Sequence, residues 1–251
     1  MCIINHPAHV RETLIFVAPD ITNTKQITVY SNEVQTASPN NLMILPVPFP
    51  ETVKFIDLTM YESIFKDLDL AFHVFTRSAG SAKSKLSVVS VGSYLVTLAM
   101  NIEDLDNLDQ EVFGSVDPKI MDMLKKHYIG LIPFGFIICK LETGPEKKYH
   151  PFAYSHHMMR SSDKPVLFVP TRHAHGKGHT RIVDDVEMED GWDHEIYSFN
   201  TGPGCGNRNQ QRDLHLQYDL IPDFKFRPLP TVNKQVIVGS HPNDDYVFEL
   251  L

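Results

Sequence analysis

Apolar residues fall along this chain in short runs, roughly four to eight residues each, punctuated by Pro, Asn, Asp and Gly. Residues 13–18 (TLIFVA), 26–31 (QITVYS) and 42–45 (LMIL) are rich in β-branched and aromatic side chains and predict strands. The following Pro46-Val47-Pro48-Phe49-Pro50 lacks three backbone donors, so it is expected at a sheet edge or leaving a sheet. Further strands are expected over about 86–90 and 94–100, with Gly92 between them. Others are expected over 165–169, 195–199, 214–218 and 235–238. Residues 134–141 (FGFIICKL) form an almost unbroken apolar run, the pattern of a strand buried on both faces.

Helical periodicity is confined to the middle of the chain. Thr59 and Glu62 make a T-x-x-E capping pattern ahead of Ile64, Phe65 and Leu68, which predicts a helix over about 60–68. A second helix is predicted from Pro118 to about Tyr128, with Asp117 as its cap and Ile120, Met121, Leu124 and Tyr128 on one face. The acidic stretch 103–111 predicts a short third one. Strands that are not interleaved regularly with helices indicate an α+β fold of largely antiparallel sheets, with two or three helices in the middle of one domain spanning 1–251.

Composition narrows the function classes. The 251 residues carry a formal net charge of −8, which repels nucleic-acid phosphate, and no basic run offsets it. No stretch reaches the ~20 apolar residues of a membrane span, and the N-terminus lacks the basic head of a secretory signal. The three cysteines, Cys2, Cys139 and Cys205, include no C-x-x-C pair. These features point to a cytoplasmic protein that binds neither nucleic acid nor membrane, with a small-molecule or peptide substrate as the expected partner.

The order of segments carries a resemblance. A near-terminal Cys2 is followed by Ile27-Thr28-Val29-Tyr30, by Asn41-Leu42-Met43-Ile44-Leu45-Pro46-Val47-Pro48, by Val91-Gly92-Ser93-Tyr94, and by a helix ending at Tyr128 that leads into 134–141. Over residues 2–170 this resembles a mostly exported bacterial family of unknown function that begins with Cys and carries a W-x-x-P-V-P element. The family's Trp is absent here, where Met43 stands, and Ile3 and Ile4 replace its glycines. The resemblance implies a fold and no activity.

Two features carry candidate chemistry. Cys2 follows the initiator Met, so removal of Met1 would leave a thiol beside a free α-amine, the arrangement of an N-terminal nucleophile hydrolase acting on an amide-like bond. His6 and His9 stand close enough in sequence to assist that thiol. The competing reading is an ordinary buried thiol. The second feature is the His-rich segment within 171–195. On an extended chain His173 and His175 point the same way, and two glycines let His179 fold back. With His194 these make a candidate zinc set, and an open fourth position would activate water for hydrolysis. A solvated loop, or a non-catalytic structural or interaction protein, explains the same residues. The glycine-rich 201–207 and the acidic 184–190 read as a connector and a solvated loop.

Overall fold

The computed structural model describes residues 3–70, 90–91, 94–174, 185–187, 194–199, 208–213, 231–237 and 240–250. In chain order the strands begin with β1 Ile3–Ile4, β2 His9–Pro19, β3 Lys25–Thr36, β4 Leu42–Pro48, β5 Lys54–Ile56 and β6 Ser90–Val91. They continue with β7 Tyr94–Ala99, β8 Phe134–Lys140, β9 Gly144–Lys148, β10 Phe152–His157, β11 Met159–Ser161 and β12 Lys164–Val169. The last are β13 Asp185–Glu187, β14 His194–Phe199, β15 Arg208–Asp213, β16 Thr231–Ile237, β17 Ser240–Pro242 and β18 Tyr246–Glu249. Helix α1 spans Ile64–Leu70 and α2 spans Pro118–Tyr128, with short 3-10 turns at Pro50–Thr52 and Glu103–Asn107.

Two sheets dominate. One runs β1-β4-β8-β7-β6, and the larger runs β15-β16-β14-β2-β3-β10-β5, with β9 also on β3. Among the described strands pairing is antiparallel except for β14 on β2, which is parallel from His194↔Thr13 to Ser198↔Val17; an isolated bridge, Ile3↔Ala174, is also parallel. The expected largely antiparallel architecture is observed, but strand outweighs helix more than an α+β reading suggests. Among the described residues only α1 and α2 are α-helical, and the acidic stretch expected as a third helix is the 3-10 turn at Glu103–Asn107.

Alternation along the central strands explains the layering. In β4, Met43, Leu45 and Val47 enter a core shared with Ile15, Val17 and Tyr30 of the other sheet, whereas Leu42 and Ile44 enter a separate core under α2. Ile137 and Cys139 of β8 divide from Phe136 and Ile138 in the same way. On the larger sheet, Phe16, Ala18, Ile27 and Val29 face a third core closed by Tyr61, Ile64, Phe65 and Leu68. The central strands β4 and β8 and the inner half of β2 are therefore covered on both faces, which is why they read as nearly continuous apolar runs.

Local chemistry sets the boundaries. Asp117 caps α2, its Oδ1 accepting from the Lys119 amide at 2.8 Å. The capping pattern ahead of α1 does not form as expected. Asp57 Oδ1 accepts from the Thr59 hydroxyl at 2.5 Å and from its amide at 2.8 Å, and the helix begins at Ile64 after a turn closed by Leu58 and Tyr61. Pro46 and Pro48 lie within β4, paired with β8 on one side; the Leu42 carbonyl accepts from Asn5 on the β1 side, so both prolines, in phase with it, turn their missing donors to that side, past the described end of β1. Expected strands at 86–89 and 214–218 lie outside the described residues.

Gly135 shows how close the layers come. A Cβ there would lie 2.4 Å from Pro50 Cβ and 2.5 Å from the Ala99 carbonyl oxygen, whereas one on Gly130 would meet nothing within 4 Å. Gly135→Ala is expected to lower stability by about 1–3 kcal/mol while Gly130→Ala stays near neutral, read from urea midpoints.

His156 is buried, with Nδ1 2.7 Å from the His157 carbonyl oxygen and its ring stacked on Tyr154. Burial, with a smaller push from His157, lowers its pKa to about 4 against an outweighed pull from the His157 carbonyl. The unfolded ring takes up a proton below about 6.5. Stability from this group is therefore full above that pH and is lost as pH falls toward the folded value. Between pH 7.5 and 5 the loss is expected to reach about 2 kcal/mol and to shrink in His156→Gln, measured by urea unfolding at the two pH values.

Candidate functional site

The structure brings together two of the predicted site residues. His173 follows β12 and His194 opens β14, yet their rings meet edge to face with centroids 4.5 Å apart. Both are buried, at 8% and 2% exposure. Cys2, His175 and His179 lie outside the described residues. Ile3, the neighbour of Cys2, is bridged to Ala174, and the Ile4 amide donates to the Ala174 carbonyl at 2.9 Å, so β1 runs alongside the His173 segment. Among the described residues no group of three or more His, Cys, Asp or Glu side chains gathers as a metal site.

The His173 backbone is held from residues far along the chain. Asn243 Oδ1 accepts from the His173 amide at 2.6 Å and its Nδ2 donates to the His173 carbonyl at 2.9 Å, copying one rung of a β-ladder. Next to it Asp245 is buried and accepts from the Tyr128 hydroxyl at 2.6 Å, the Thr171 amide at 2.8 Å and the Arg172 amide at 3.0 Å. Burial pushes the Asp245 carboxyl above its ordinary range, against the pull of Tyr128, Arg172 and Thr171. Burial, then the Asp245 charge, raises Tyr128 in turn, so the phenol stays a donor. Arg172 reaches the Asn243 carbonyl and Asp244.

A cleft of about 890 Å³ opens at a different place, between α1 and the outer face of the larger sheet. Its walls come from β2, β3 and β14, from the segment leading into α1, and from residues 148–151. Below it, Lys234 of β16 is 9% exposed at its side chain and lies 2.9 Å from both Asp69 and Glu195. The Tyr197 hydroxyl donates to Glu195 Oε2 at 2.8 Å. Burial, then the charges of Glu195 and Asp69, raises the Tyr197 pKa far above that of a free phenol, so the ring keeps its proton and its donor. At the rim, His150 Nε2 is 3.1 Å from Glu62 Oε1.

A β-bulge aims one more charge into this cleft. The β2–β3 register shifts between Arg11 and Leu14, and Glu12 adopts a left-handed φ of 46°. The shift switches which parity of β2 faces inward: Val10 and Ile15 both enter the core between the sheets. Glu12 reaches Lys148 at 2.9 Å, and Lys148 also pairs with Glu33 at 3.3 Å.

Sequence reading did not find this cleft. Its residues come from five separated segments, each ordinary in composition. One signal was legible: Glu195 and Tyr197 alternate along one strand, as do side chains that share a face, and Lys234 interrupts an otherwise apolar and amide-rich strand.

The fold and this arrangement define a mainly antiparallel, two-sheet protein with a helix layer on each outer face. Among solved structures, the crystal structure of baculovirus P35 is similar over 97% of this chain and 97% of that one, with a TM-score of 0.51 and 11% sequence identity. That likeness shows the fold alone. No protein-family model and no curated protein sequence matches the chain. No helix among the described residues is long and apolar enough to cross a membrane.

Proposed function

We propose that this chain is an interaction protein, which binds a ligand in the cleft beside α1 and does no chemistry on it. One observation carries the reading: polar groups at the floor of the cleft are paired to one another, whereas those at its rim stay exposed. Lys234 is shared by Asp69 and Glu195, Tyr197 is spent on Glu195, and Lys148 is shared by Glu12 and Glu33. Groups held in this way present a fixed shape and field, which is the requirement of recognition. Burial and the Glu195 charge hold the Tyr197 proton in place, so this phenol serves as a fixed donor to Glu195. Leu14, Phe65 and Pro151 supply an apolar lining.

The reading is tested by selecting from a random-sequence peptide library on the wild-type protein and on Leu14→Trp, whose indole fills the cleft floor. Peptides enriched on the wild type are expected to lose binding on the variant and to be recovered with unchanged mass. Equal enrichment on both proteins, or cleaved peptide, would overturn it.

The convergence of His173 and His194 favours a second reading, zinc binding with hydrolysis at the bound ion. Zinc analysis after dialysis tests it. The expected result is metal retained by the wild type and lost in both His173→Ala and His194→Ala, and equal zinc content in all three sinks it.

A further inference from the structure

We infer that the cleft beside α1 receives an arginine side chain presented by an exposed loop of a partner protein, an assignment that rests on the binding reading above. Charge supplies the first argument. Among the described residues, the cleft lining and its ion-pair partners named above hold five carboxylates, Glu12, Glu33, Glu62, Asp69 and Glu195, against three lysines, Lys66, Lys148 and Lys234, an excess of two negative charges with histidine neutral. Two of those lysines already divide their charge between two carboxylates each. The concave shape focuses what remains, so an entering cation is favoured and an anion is repelled.

Shape and surface chemistry supply the second. Phe65 and Tyr197 are buried, with ring centroids 6.2 Å apart and Lys234 Nζ 5.2 Å from the Tyr197 centroid, so they back the cleft, and Leu14 and Pro151 continue its apolar wall. A planar guanidinium presents a rigid fork that meets a carboxylate with two parallel hydrogen bonds, whereas an ammonium is a compact, strongly hydrated point charge. The Glu62 carboxylate, with Oε1 3.1 Å from His150 Nε2, is 48% exposed at the mouth, where an incoming fork would meet it. The volume of about 890 Å³ exceeds what one guanidinium fills, leaving room for the apolar neighbours and backbone of a loop.

The test titrates isotopically labelled protein with acetyl-Gly-Leu-Arg-Leu-Gly-amide and with its citrulline, lysine and glutamate counterparts, following amide shifts by NMR. The arginine peptide is expected to bind about tenfold more tightly than the citrulline peptide, which has the same shape without the charge, with lysine between them and glutamate weakest. Glu62→Gln is expected to weaken the arginine peptide severalfold and leave the citrulline peptide unchanged, and Glu12→Gln to do the same to a smaller extent. Equal binding of arginine and citrulline, or tighter binding of glutamate, overturns the charge assignment and leaves cleft binding standing. Shifts from all four peptides that persist in Leu14→Trp, or no shifts from any, overturn both.

Discussion

Covering both faces of both main sheets is the constraint that organises this protein. A strand at the centre of such a sheet has no solvent side, so it must feed two cores at once, and much of β2, β3, β4 and β8 does so residue by residue. The constraint explains why residues 134–139 are apolar without alternation, why Gly135 leaves no room for a side chain against Pro50 and Ala99, and why the helices sit outside the sheets. It also explains the bulge at Glu12. A strand whose apolar residues change parity partway along needs one extra residue to keep facing the same core, and β2 spends Glu12 and Thr13 on that adjustment.

Polar groups trapped among these layers are handled by local closure. Asp245 gathers three donors, Asn243 closes both backbone groups of His173, and the pair ties residues 171–173 to the end of the chain while Tyr128 brings in α2. Buried carboxylates and amides left unmet would each cost a desolvation penalty, so such clusters are satisfied as units. The Lys234 group below the cleft follows the same rule in a partly solvated setting, where each ion pair is worth less and geometry matters more. Its consequence is rigidity: ion pairs and the Tyr197 hydrogen bond fix the geometry of the cleft floor.

Much of the fold was legible along the chain. The strands around residues 14, 28, 43, 137 and 167, and α2 with its Asp117 cap, follow from β-branched runs, helical spacing and one capping carboxylate. The facing of Pro46 and Pro48 follows from the donors they lack. The start of α1 was misjudged because Asp57 competes for Thr59, and the pattern of one residue does not reveal the rival partner next to it. Strands β9 and β10 escaped notice because polar residues and histidines mask their alternation, although the opposed facing of His156 and His157 was foreseeable from period two.

The candidate sites divide along the same line. The sequence by itself determined that His173 and His194 were unusual, that the net charge disfavours nucleic acid, and that strands would prevail over the N- and C-terminal parts. Only the tertiary structure decided that those two rings meet, because their encounter depends on Asn243 clamping one segment and on β14 running parallel to β2. The cleft belongs wholly to the second class. Its charges lie as far apart as Glu12 and Lys234, and no local pattern encodes a field produced by five segments converging in space. Local sequence carries periodicity and caps, which act within a few residues, whereas a site made of long-range pairs exists only once the sheets have closed around it.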